Sequence, residues 1–128
     1  MLVQLTDGKE ESVKTYQVVF HLDENSEGKI NEVFNNLRNL IADLGEENVD
    51  VELVTNGTGV MAMRKDNGTN AFRVQHLAGQ GVKFAVCANS LKYLKMAPED
   101  LVPEAVIVPA GVSELVKKQA EGWAYIRP

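Results

Sequence analysis

Cysteine occurs once in the 128 residues, at Cys87, and histidine twice, at His21 and His76. One thiol closes no internal disulfide, which fits a reducing compartment. Three such residues scattered along the chain make no zinc-type spacing, so no metal is expected. Positive charge is also short: 13 Lys and Arg stand against 18 Asp and Glu, a net charge of -5 at pH 7. Without a basic run, nothing offsets repulsion from phosphates, which argues against nucleic acid as a partner. No apolar run approaches the ~20 residues of a membrane helix, and the N-terminus lacks a basic-then-apolar signal. A cytoplasmic location is the expectation.

What is present suits one soluble domain: 45% hydrophobic and 24% charged residues, enough for a single core. Residues 1–14 read as an arm or a small hairpin, with Leu2, Val3 and Leu5 before an Asp7-Gly8 turn. Residues 15–128 alternate strands with helices. Tyr16 to His21 is a first strand, continuous in Val18, Val19 and Phe20 as for a strand covered on both faces. Ile30, Val33, Phe34, Leu37, Leu40, Ile41 and Leu44 recur at helical spacing, and Gly45 ends that helix. Val49 to Val54 alternates, and its polar positions suggest a sheet edge. Then come the turn Asn56-Gly57-Thr58-Gly59, a short helix through Met63, a surface loop at 65–68, and a helix carrying Phe72, Val74 and Leu77. His76 belongs on that helix's surface. Ala105 to Val108 reads as a fourth, buried strand, residues 112–120 as a helix, and Trp123 to Ile126 as a last strand. Trp123 and Tyr125 read as packing residues.

The stretch from Gly81 to Leu91 carries the chemical interest. It reads as a short apolar strand ending at Cys87 and turning at once into a helix capped by Asn89 or Ser90. Helix N–H groups and dipole favour an anion there, which eases formation of a thiolate. A buried structural cysteine fits the same position.

The alternation implies a three-layer, flavodoxin-like α/β domain with a mostly parallel five-stranded sheet, for which order 2-1-3-4-5 is expected. In that order the first and third strands are neighbours, and His21 and Cys87 share a crevice. The turns at Asn56, Gly57 and Gly59, and at Gly111, close its rim. A histidine beside a thiol can take its proton, but no third residue orienting the imidazole can be named. The acidic 23–26 loop is a poor flavin-phosphate cradle, so no cofactor is expected.

Phe20-His21, the Asn56 to Val60 turn, Gly81 to Leu91, and the C-terminal run from Val108 to Ile126 together resemble the DsrE/DsrF-like family of sulfur-oxidation and sulfur-relay proteins, over residues 15–128. The resemblance implies homotrimers or homohexamers, and a cysteine ending the third strand that carries sulfur as a persulfide, a role mapping onto Cys87. Where that family often has histidine before the glycine turn and glycine after the cysteine, this chain has Asn56 and Ala88. The resulting expectation is a sulfur carrier or sulfurtransferase, with Cys87 and His21 reactive and Asn56, Gly57, Gly59, Asn89 and Gly111 positioning a donor; a sulfur donor or acceptor protein would be its partner. The alternative is a non-catalytic assembly or anion-binding subunit of the same fold.

Overall fold

The computed structural model describes residues 14–128, so the expected N-terminal hairpin lies outside the described residues. Five strands form one all-parallel sheet: β1 (Tyr16–Leu22), β2 (Val49–Thr55), β3 (Lys83–Cys87), β4 (Ala105–Val108) and β5 (Ala124–Ile126). Between them run the helices α1 (Glu27–Leu44), α2 (Gly68–Gly79), α3 (Ala88–Tyr93) and α4 (Gly111–Ala120), with 3-10 turns at Gly57–Met63 and Pro98–Asp100.

Local chemistry explains the boundaries. Ser26 caps α1 by accepting from the Lys29 N–H at 3.3 Å. Gly45 ends it at φ 92°, a region closed to most side chains, with its N–H on the Ile41 carbonyl at 2.8 Å. Asn67, in the expected surface loop, caps α2 by accepting from the Asn70 N–H.

The strand order is 4-3-2-1-5, not 2-1-3-4-5. Three steps, β1 to β2 to β3 to β4, run in one direction. Right-handed crossovers therefore put α1, α2 and α3 on the same face. The long step back from β4 to β5 puts α4 on the other. Two clusters of buried residues record this. The larger one packs Val33, Phe34 and Leu37 of α1 with Leu77 and Leu91 against Phe20, Leu53 and Phe84. The smaller one packs Leu115 of α4 against Val19, Val54 and Ala85.

Three further expectations change with the order. β2, expected at an edge, is the central strand. Its polar Glu52 is buried under α4 rather than facing water. β4, expected to be buried, is an edge strand with Val106 and Ile107 exposed. Finally, β2 separates β1 from β3, so His21 and Cys87 stand two strand spacings apart, ~10 Å, rather than side by side.

Candidate functional site

Loops leaving neighbouring strands diverge where one turns to each face, and ligands of open α/β sheets bind in the crevice this makes. Here β3 feeds α3 on one face and β4 feeds α4 on the other, so the divergence falls between β3 and β4. Cys87 is the last residue of β3 and pairs with Val108 across that boundary. By strand alternation its side chain lies on the α4 side, with Ala85.

Cys87 is 4% exposed. Burial opposes its ionisation. The Ser90 hydroxyl and the backbone N–H groups of Gly111, Ser90 and Asn89 outweigh that penalty and hold Cys87 below the usual thiol range. Those donors come from two helix starts, α3 and α4. Cys87 itself occupies the N-cap position of α3, whereas Asn89 or Ser90 was expected there. Ser90 instead accepts the Gly57 N–H at 2.7 Å, tying α3 to the glycine turn after β2.

Gly111 opens α4 directly against the site. A Cβ there would lie 3.0 Å from the Asn56 Cβ and 3.3 Å from the Cys87 Cβ, so Asn56 and Cys87 flank the same backbone. Asn56 in turn reaches His21: its Oδ1 lies 2.7 Å from Nε2. On the far side of the ring, Nδ1 lies 2.7 Å from the Tyr125 hydroxyl. With Oδ1 facing it, Nε2 carries the ring proton and donates to Asn56, and Nδ1 accepts from Tyr125. A polar row therefore runs across the strand ends from Tyr125 through His21 and Asn56 to Gly111 and Cys87.

His21 contacts Asn56 rather than the thiol, so Asn56 is the link between the two expected reactive residues. Tyr125, read from sequence as packing, is the missing orienting partner. Only the pairing of β5 with β1, which sets Tyr125 beside Val19, reveals it. Gly57 takes φ 57°, as its turn demands. Gly59 is buried against the Leu22–Asp23 backbone, where a Cβ would collide with the Leu22 carbonyl; its contact is with β1. Asn89 lines a groove of about 220 Å³ with Gly57, Thr58, Ser90, Tyr93 and Leu94, next to the Cys87 turn.

One ionisable group went unnoticed in the sequence. Glu52, four residues before Asn56 and on the α4 side of β2, is pushed up to about 8 by burial and by the neighbouring Glu114 carboxyl. Lys118, 3.8 Å away, and Lys83 oppose the rise without overcoming it. Among the described residues no three His, Cys, Asp or Glu side chains gather as a metal set. Nor is any described helix long and apolar enough to cross a membrane.

The family model for the DsrE/DsrF-like family matches residues 15–128. The chain belongs to that family. Two solved structures of similar form are a protein of unknown function, MTH1491 from Methanobacterium thermoautotrophicum, and the ychN protein from E. coli. The first is 42% identical with a TM-score of 0.83, covering 88% of this chain and 99% of that one. The second has a TM-score of 0.71 at 17% identity over 88% of this chain and 99% of its own, a likeness of fold alone. No curated protein matches. Membership of the DsrE/DsrF-like family accounts for the α/β architecture; the chemistry of this member rests on its own residues.

Proposed function

We propose that this DsrE/DsrF-like protein is a sulfur carrier that holds sulfane sulfur on Cys87 as a persulfide. One observation carries the reading: the sole thiol stands at the divergence of two helix starts, with its pKa lowered by donors from both. The Cys87 thiolate attacks the outer sulfur of a persulfide or polysulfide donor. The donor's S–S bond breaks, and the donor leaves as a thiolate. An acceptor thiolate then attacks the outer sulfur on Cys87, which leaves as the original thiolate, so the cycle needs no external oxidant or reductant. The N–H groups of Gly111, Asn89 and Ser90 stabilise the anion at each stage. His21, with both ring nitrogens engaged by Tyr125 and Asn56, holds Asn56 in place beside Gly111 and is not a base touching the thiol.

A reducing, cytoplasmic setting and assembly with further copies, as a trimer or hexamer, belong to the same proposal. The test is mass spectrometry after incubation with a polysulfide. The expected result is a gain of one sulfur mass on Cys87 and none on Cys87→Ser; equal labelling of both proteins would refute the carrier role.

The burial of Cys87 favours a second reading, a non-catalytic assembly or ligand-binding subunit in which the thiol only packs. The alkylation rate at neutral pH separates the two. A carrier thiol reacts faster than a free model thiol, and a packing thiol reacts far more slowly.

A further inference from the structure

On the opposite face of the sheet from Cys87, the N-terminal ends of α1 and α2 enclose a polar cleft of about 460 Å³, a volume suited to a small organic ligand. One residue in its wall calls for a partner. Asn70 is 5% exposed, and its backbone N–H bonds to Asn67. Its side-chain amide makes no hydrogen bond among the described residues, and it is not sealed in the core but lines the cleft, where a ligand can meet it.

The neighbours of Asn70 are suited to an anion. The first turn of α2 carries no acidic residue, and the Asn67 cap takes the Asn70 N–H, which leaves the helix dipole and the Thr69 N–H and hydroxyl for a ligand in the cleft that Thr69 lines. Arg73 follows one turn later on the same wall. Its Nη1 donates to Asn31 Oδ1 at 2.8 Å, and its guanidinium lies over the Phe34 ring, 5.4 Å from the centroid. No carboxylate pairs with it among the described residues. A guanidinium fixed in place, with donors to spare and no described counter-ion, is a receptor for an oxyanion. Across the cleft, Glu27 opens α1. Its carboxylate would repel a second anionic group and accept from hydroxyls.

We propose that this cleft binds a small anionic metabolite, an oxyanion group on a hydroxylated carbon skeleton. The oxyanion sits against Thr69, Asn70, Arg73 and the start of α2. The hydroxyls face Glu27 and Asn31. The site shares no residue with the Cys87 row and stands or falls independently of sulfur chemistry.

Amide NMR titration of the protein tests this with three probes: ribose 5-phosphate, gluconate and neutral ribose. The expected result is saturable movement of the Gly68 and Thr69 amides with at least one anion, and at least about tenfold weaker binding of ribose. Whichever anion saturates first identifies the group as phosphate or carboxylate. Arg73→Gln should weaken that binding about tenfold or more, and Thr69→Val several-fold. Should Arg73→Gln fail to fold, Thr69→Val alone decides. No saturable shift in the millimolar range, shifts that ribose reproduces, or unchanged affinity in the folded variants would overturn the proposal and leave a water-filled cleft.

Discussion

At Cys87 burial and hydrogen bonding pull in opposite directions, and the donors prevail. Removing one donor should shift the balance measurably. In Ser90→Ala the thiol loses its side-chain partner, so the midpoint of alkylation rate against pH should move upward from that of the wild type. An unmoved midpoint would show that the backbone N–H groups suffice. Because the folded thiol titrates below its unfolded value, it adds stability above the unfolded pKa, and that stability disappears as pH falls through the folded one. Gly111 is constrained in a different way. Its φ is ordinary, but a methyl group would press on Asn56, Cys87 and Val54 together. Gly111→Ala should therefore cost about 1–3 kcal/mol in denaturant unfolding. It should also slow persulfide formation, by pushing α4 and its N–H away from the sulfur. A fully stable and fully reactive variant would mean that α4 does not touch the site.

Between elements, the least comfortable contact is that of β2 with α4, where Glu52 is buried beside Glu114. A carboxyl raised from 4.5 to about 8 binds its proton more tightly folded than unfolded. Folding is thus most favoured below pH 4.5 as far as this group is concerned, and it loses ground as pH rises to 8. Glu52→Gln should flatten the pH dependence of the melting temperature over that window and stabilise the protein at pH 9 by on the order of 2 kcal/mol. A wild-type profile already flat there would mean that the carboxyl stays charged with Lys118. The same strand shows what could be read in advance. The apolar stripe of α1 and the strand-to-helix turn at Cys87 follow from side-chain period and were legible. Glu52 looked like an edge residue because alternation reports which face a side chain is on, not whether a distant helix covers that face. Strand order was hidden for a related reason. Orders 2-1-3-4-5 and 4-3-2-1-5 use the same elements, and both satisfy right-handed crossovers. Choosing the wrong one joined His21 to Cys87 directly and left Tyr125 without a role.

At the scale of the whole molecule, the two faces of the sheet are unequally covered. Five strands span about 19 Å across. Among the described residues, one face carries α1, α2 and α3, whereas the other carries α4 alone, a rod about 10 Å wide. No described helix covers roughly half of that second face, and exposed apolar residues stand at its β4 edge and on α4. Val106 on β4 is 59% exposed, and Val112 and Val116 form an exposed stripe one turn apart on α4. Expected trimers or hexamers would cover this surface, since exposed apolar side chains beside an edge strand are where further copies add most burial. Val106→Lys and Val116→Lys lie on the exposed side, away from Leu115 and the core, so the fold should survive them. Light scattering with size exclusion should then report a larger assembly for the wild type and a single copy, about 14.1 kDa, for the double variant. An unchanged assembly would move the interface to another face. Because α4 also supplies the Gly111 N–H to Cys87, the single copy should form persulfide more slowly, and equal rates would show that the site is complete within one chain.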